Sequence, residues 1–186
     1  MTSSVAIRFW CVLGMIGAGA LAQVRNCDCD PSRPETLAKR WCSLCVEAER
    51  QPQQPFVFFL KDVNPRKANR MLALPRVHGP RQHSLAVMSA EQRTAFWTAA
   101  IAKARELWGD AWGLAMNGDE VRTQCHAHVH IGKLIDGLET AALVVVDGPA
   151  QIPAPDDGGG FWVHGAEGGK LHVHVGEQIA ETVLLR

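Results

Sequence analysis

The sequence predicts an α+β fold in which one long helix packs on an antiparallel sheet. Within residues 122–131, three histidines alternate with apolar residues, and a period of two is typical of a β-strand. Residues 89–109 begin with the Ser-x-x-Gln of a capping box and carry apolar residues at helical spacing. Several shorter apolar runs lie between turn residues and are expected to be further strands.

Residues 1–22 have the pattern of a signal peptide. Arg8 supplies a positive charge, residues 9–21 are apolar and small, and residues 20–22 read Ala-Leu-Ala, as at a signal-peptidase site. The apolar run is short for a membrane span. We therefore expect cleavage after Ala22 and export to the periplasm or the medium, with an uncleaved N-terminal anchor as the alternative.

Residues 23–50 form a cysteine-containing segment ahead of the main domain, residues 51–186. In the oxidising compartment that export implies, disulfides are expected in preference to zinc, although four cysteines allow three pairings. Cys125 is expected to be a small buried apolar residue. The disulfide candidates are Cys27, Cys29, Cys42 and Cys45.

The remaining elements follow in chain order. Residues 34–49 predict a short helix, residues 56–60 a central strand, and residues 71–74 a strand that Pro75 ends. Further strands are predicted at residues 112–117, 125–134, 141–146, 161–164 and 170–175, with a loop at 148–160 and a helix or strand at 177–185.

The long helix is expected to begin after Ser89 and to end at Gly109. Its predicted buried stripe consists of Phe96, Ala100, Ala104 and Leu107. The Asn117-Gly118 turn that follows predicts that the strands on either side of it pair as a hairpin.

The histidine row indicates chemistry rather than packing. Imidazole is the commonest metal ligand and a common catalytic base or nucleophile, whereas ordinary polar strand faces use Thr, Lys and Glu. The formal net charge is zero at pH 7 and no long basic run occurs, so no nucleic-acid partner is predicted.

Residues 122–131, Arg-Thr-Gln-x-His-x-His-x-His-Ile, resemble the histidine-triad (HIT) superfamily and are most similar to its CDP-diacylglycerol pyrophosphatase branch. Residues 58–62, 71–75 and 113–117 match as well, so the resemblance covers roughly residues 42–134. It implies a HIT-like antiparallel sheet carrying one long helix, and a homodimer as a possible assembly.

The resemblance also implies roles for the triad. The middle histidine of the family is the nucleophile, which corresponds to His128, with its second ring nitrogen held by a main-chain carbonyl. His130 would then bind phosphate oxygens and His126 would orient the leaving group. The implied substrate- and phosphate-binding residues are Asn117, Arg122, Thr123, Gln124 and His78.

The implied activity is that of an exported hydrolase. It would cleave a phosphoanhydride at a nucleotidyl phosphorus through a covalent His-nucleotidyl intermediate, without a required cofactor. The substrate would be CDP-diacylglycerol at a membrane surface, giving CMP and phosphatidate, or a soluble nucleotide. The alternatives are a zinc- or copper-binding histidine-rich protein and a non-catalytic nucleotide binder.

Two metal arrangements remain open. HIT proteins often hold a structural zinc ion with an early Cys-x-x-Cys and two histidines. Here the resemblance implies Cys42 and Cys45 with His126 and either His83 or His78. His172 and His174 repeat the alternation and, with His164, could form a second centre, but a structural strand is the predicted interpretation because no Arg-Thr-Gln precedes them.

Overall fold

The structure is a computed structural model that describes residues 24–52, 54–76, 83–155 and 157–186. The predictions for the signal peptide and for His78 lie outside the described residues. Across the part of the chain that is described, none of the helices combines the length and the apolar character needed to cross a bilayer.

Seven strands of the described residues form one antiparallel sheet, and with the helices they confirm the α+β class. The strands are β1 (Val57–Lys61), β2 (Met71–Pro75), β3 (Trp112–Met116), β4 (Val129–Lys133), β5 (Leu143–Val146), β6 (Phe161–Gly165) and β7 (Leu171–Val175). Their order across the sheet is β1-β2-β4-β3-β6-β7-β5. The predicted pairing of β3 with β4 and the hairpin of β6 with β7 are both confirmed.

The helices are α1 (Pro34–Leu37), α2 (Ser43–Arg50) and the 19-residue α3 (Ala90–Trp108). The capping box at Ser89 is present, and α3 ends at Gly109, whose φ is +54°. The buried stripe is as predicted except at Leu107, which is 41% exposed. Trp108, four residues after Ala104, packs against the core in its place.

The two faces of the sheet have different coverings. The face toward α3 carries the main apolar core, to which β4 contributes Val129 and Ile131. On the opposite face, one cross-strand row runs from His130 through Ala115 and Trp162 to His174. Histidines of β4 and β7 therefore share a face, at a separation of about 14 Å, because three strand spacings lie between them.

The strand at residues 56–60 is at the edge of the sheet, not at its centre, because β1 pairs with β2 and ends the strand order. Its continuous apolar run reflects burial on both faces. Val57 belongs to the core beneath α3, while Phe58 packs with Leu44 and Ala48 of α2 on the other side.

The N-terminal segment is not one helix. A 3-10 turn, Arg40–Cys42, separates α1 from α2. The segment is joined to the rest of the chain by disulfides Cys27–Cys125 and Cys29–Cys42. Cys125 is buried, as predicted, but it forms a disulfide instead of acting as a small apolar residue.

Cys45, predicted as a disulfide candidate, is instead a buried thiol. Burial raises the pKa of this thiol to about 12, so it stays protonated at neutral pH. It lies on the buried side of α2 and packs in one small cluster with the disulfide-bonded Cys29, Cys42 and Cys125.

Two further boundaries differ from the predictions. Strand β4 begins only at Val129, so His126 and His128 precede it. The C-terminal stretch is neither an α-helix nor a strand over most of its length but a 3-10 turn, Ala180–Val183, which packs on Trp162 and Ala115.

Candidate functional site

A cavity of about 730 Å³ lies where the N-terminal segment, the β1–β2 edge and the approach to β4 meet. It brings together six of the residues that the sequence singled out for the site. These are Asn117, Arg122, Thr123, Gln124, His128 and His130.

His128 is held in one tautomer. Its Nδ1 lies 2.8 Å from the carbonyl oxygen of His126, and because a carbonyl can only accept, Nδ1 donates its proton there. The ring is 6% exposed, and burial, followed by the nearby His130 and Arg122, lowers its pKa well below the ordinary value. A neutral His128 therefore presents an unprotonated Nε2 from the wall of the cavity.

His126 does not lie beside His128 and His130 on the cavity wall, where a regular strand would have placed it. The ring is fully buried, its Nδ1 donates to the carbonyl of Ala127 at 2.9 Å, and it is not among the cavity residues. The alternation expected of a strand fails here because β4 starts three residues later. The contribution of His126 to the site is its carbonyl oxygen, which holds His128.

His130 lies between two carboxylates that sequence reasoning had not assigned to the site. Its Nδ1 is 3.6 Å from Oδ2 of Asp62, and its Nε2 is 3.5 Å from Oε2 of Glu181. Burial raises the pKa of both acids, but His130 and other hydrogen-bonding or charged neighbours such as Lys67 outweigh it, and both pKa values fall below the ordinary range. Both acids are ionised at neutral pH.

Arg122 is a buried cation with unused donors. Its side chain is 1% exposed, and Nη2 donates to Oδ1 of Asp119 at 2.6 Å. Burial lowers its pKa to about 10 while Asp119 acts in the opposite direction, so it remains charged at pH 7. Within the described part of the chain, its Nε and Nη1 are buried and have no hydrogen-bond partner. Unpaired buried donors are costly, so they mark a place where an anion would be stabilised.

The other predicted binding residues have mixed positions. Gln124 uses its side chain to hold α2, because its Oε1 accepts from Ser43 Oγ at 2.8 Å and its Nε2 donates to the carbonyl of Arg40 at 3.3 Å. Asn117 accepts from the backbone N–H of Glu181 at 2.9 Å. Both are therefore positioning residues, while Thr123 is exposed at the rim.

The alternative zinc set is wrong for this fold. Cys42 is bonded to Cys29, and Cys45 is a buried thiol. His83 lies in a different cavity, 4.0 Å from Oδ2 of Asp119, while His126 faces the interior. The four residues do not converge, because Cys42 of the expected Cys-x-x-Cys is bonded to Cys29. The spacing of the cysteines along the sequence did not predict this pairing.

A second histidine cluster lies on the same sheet face, outside the cavity. Its possible ligand atoms, one from each residue, all lie within 4.8 Å of one another. The members are Glu139, His164, His172 and His174. Burial lowers the pKa of His164 and His174, with Glu139 acting in the opposite direction.

Sequence reasoning missed Asp62, Glu181 and Glu139 as site residues. Asp62 directly follows β1 within the segment that resembles the HIT family, so its position gave a usable signal. Glu181 and Glu139 lie in a 3-10 turn and a loop without periodic pattern, and only the fold brings them to the histidines.

No family model and no curated protein matches the chain. The geometry of the cavity therefore carries the functional argument.

Proposed function

We propose that the chain is a hydrolase that cleaves a phosphoanhydride at a nucleotidyl phosphorus, with His128 as the nucleophile and a HIT-like arrangement of the site. The observation that carries the proposal is the hydrogen bond from His128 Nδ1 to the His126 carbonyl. It leaves Nε2 as the unprotonated atom of a neutral ring on the cavity wall.

The reaction divides into two displacements. Nε2 of His128 attacks the nucleotidyl phosphorus, an N–P bond forms, and the bond from phosphorus to the bridging oxygen breaks, releasing the second phosphate. Water then attacks the same phosphorus, the N–P bond breaks with its electron pair returning to Nε2, and the nucleoside monophosphate leaves. His128 is again neutral with its proton on Nδ1, and the proton lost by the water passes to solvent. Such a division replaces one difficult step by two easier ones.

Arg122 supports this chemistry electrostatically. Its buried Nε and Nη1 lack acceptors, and phosphoryl oxygens supply acceptors of the right charge. A preorganised donor acts most strongly where charge develops in the transition state and water is excluded. His130, whose ring centroid is 5.2 Å from that of His128, is assigned to the same oxygens, for which its Nε2 would turn from Oε2 of Glu181, 3.5 Å away.

The lining of the cavity favours a phosphodiester-type pyrophosphate over a terminal phosphate. Four basic side chains face three acidic ones, so a substrate with one charge per phosphorus is better tolerated than a dianion beside Asp62 and Glu181. Apolar residues line the same space, which supports a lipid-bearing substrate such as CDP-diacylglycerol. They are Leu44, Leu60, Val63, Leu72 and Val121.

The test is to trap the intermediate. CDP-diacylglycerol labelled in the cytidylyl phosphate is mixed with the protein, and the reaction is stopped in denaturant at alkaline pH, where a nucleotidyl-imidazole survives. We expect label on the peptide that contains His128, and soluble dinucleotides tested in parallel report the substrate class.

Two variants make the test decisive. His128→Asn is expected to lose the label and to lower turnover by about 10⁴-fold or more, as loss of a nucleophile does. His172→Asn, which changes a histidine outside the cavity, is the matched control and should keep both. Turnover that persists in His128→Asn would overturn the proposal.

A further inference from the structure

We propose that Glu139, His164, His172 and His174 form a Zn²⁺ site that is separate from the hydrolytic cavity. None of the four residues lines that cavity. The cluster lies at the β6–β7 end of the sheet, where a loop after β4 brings a carboxylate to three imidazoles.

The ligand atoms lie close enough together to surround one ion. Nε2 of His164 and Nε2 of His174 are 3.3 Å apart, Oε1 of Glu139 is 3.4 Å from the first nitrogen, and Oε2 of Glu139 is 3.0 Å from the second. Nδ1 of His172 is 3.1 Å from Oε1 of Glu139. With zinc-ligand distances of about 2.0–2.1 Å, the edges of a tetrahedron are about 3.3–3.4 Å long.

The tautomer of His164 leaves a lone pair available for a cation. Its Nδ1 donates to the carbonyl oxygen of Gly165 at 2.9 Å, so the neutral ring has its lone pair on Nε2, the atom that points toward His174. A hydrogen bond from the ring nitrogen remote from the metal is the usual way in which a protein orients a ligand histidine.

His174 is held equally firmly. It is fully buried, and its ring stacks on the indole of Trp162 with 3.6 Å between centroids and 5° between planes. Its Nδ1 accepts from the backbone N–H of Thr140 at 3.3 Å and lies 2.8 Å from Oγ1 of the same residue. A backbone N–H can only donate, so the ring proton is on Nε2, which lies 3.0 Å from the Glu139 carboxylate. Binding of Zn²⁺ at Nε2 moves that proton to Nδ1, where Oγ1 of Thr140 can accept it once the Thr140 N–H turns away, so Thr140 is a positioning residue for the metal.

The site has an open side for entry of the ion. The side chain of Glu139 is half exposed and that of His172 is 26% exposed, whereas His174 is buried. Three nitrogen ligands and one carboxylate are a donor set that zinc uses, and copper and nickel also accept imidazole.

A zinc ion at this site would also make the part of the sheet between the two histidine clusters more rigid. The ion would fasten the Glu139 loop to β6 and β7 around Trp162. The 3-10 turn Ala180–Val183 packs against Trp162, and Glu181 of that turn contacts His130. The inferred role is therefore structural.

The experiment uses protein purified without an affinity tag, stripped with a chelator and dialysed. Calorimetric titration with ZnCl₂ and elemental analysis should both give one zinc per chain, and Co²⁺ should give the absorption bands of a tetrahedral site. Titrations with Cu²⁺ and Ni²⁺ rank the metals. Absence of stoichiometric zinc would overturn the inference.

Variants assign the ligands. Glu139→Gln and His174→Gln should each lower zinc affinity by more than about 100-fold, and Thr140→Val by about 10–100-fold, as expected for an outer partner. Thr140→Ser should restore it. Since His174 is buried, the partly exposed His172→Asn serves as a ligand variant that keeps the fold. His128→Asn is the control and should bind zinc normally; equal loss in that variant would contradict a separate site, whatever the outcome for the hydrolase.

Discussion

Two histidine pairs of the same pattern, His128-x-His130 and His172-x-His174, lie near one face of one sheet. Carboxylates lie beside both pairs, Asp62 and Glu181 at His130 and Glu139 at the second pair, but only the first pair shares its cavity with a buried cation. That cation is Arg122, whose Nε and Nη1 have no acceptor among the described residues and would be satisfied by an anion. The second pair converges on the carboxylate of Glu139, which with three imidazoles calls for a cation.

The difference teaches that His-x-His does not by itself specify a chemistry. Hydrogen bonds determine which ring nitrogen is unprotonated, and neighbouring charges determine which kind of group, anionic or cationic, that nitrogen can approach. His128 and His164 both donate Nδ1–H to a backbone carbonyl, so the tautomer is shared. In our two proposals the charge of the neighbour distinguishes the nucleophile from the metal ligand.

The largest expected effect concerns the disulfide Cys27–Cys125, which lies beside the first histidine pair. Removing Cys27–Cys125 by the double change to Ala should lower the free energy of unfolding by about 4.7 kcal/mol, against about 3 kcal/mol for Cys29–Cys42, because the closed loops differ in length. Urea unfolding of both double variants measures this. An equal loss in the two, or damage to zinc binding in the first, would remove this distinction between the regions.

The next effect concerns charge in the cavity. Arg122→Met should lower turnover by about 10²–10³-fold, as loss of a buried transition-state donor does, and should leave zinc binding unchanged. Arg122→Lys should recover only part of the rate, because Lys cannot supply the planar fork. Arg50→Met, which alters an exposed arginine of α2, is the control. A rate for Arg122→Met within a few fold of the parent would count against the anion site.

The smallest effect is in the pH profile. In the proposed reaction the neutral form of His128 attacks. Burial, followed by His130 and Arg122, lowers the pKa of His128, so the nucleophile stays available as pH falls from 7 through the usual histidine value of about 6.5. Asp62 and Glu181 also stay ionised in that range. We expect kcat/KM to show no acidic limb near 6.5. A half-maximal rate at that pH would mean that His128 titrates normally.

Local patterns in the sequence were enough to place most of the fold. The capping box at Ser89, the stop at Gly109 and the β6–β7 hairpin depend on neighbouring residues and were predicted. Central or edge position in the sheet depends on partners far along the chain, which is why β1 was misplaced.

For the candidate site, too, the sequence predicted the residues that lie close together along the chain. His128, His130 and Arg122 belong to one short stretch and reach the same cavity. The contacts of Glu181 with His130 and of Glu139 with the second cluster join residues more than 20 positions apart, as does the disulfide at Cys125. No spacing rule along the chain reports such contacts.

The bond between Cys27 and Cys125 has a consequence for when the molecule can work. Cys125 directly precedes His126, whose carbonyl orients His128, and the segment that Cys27 anchors supplies Arg40, Ser43, Leu44 and Glu47 to the cavity wall. A newly made chain whose thiols are still reduced lacks this fastening at the point where the reactive ring is aimed. We therefore expect formation of this disulfide to act as a maturation step on which the orientation of His128 depends.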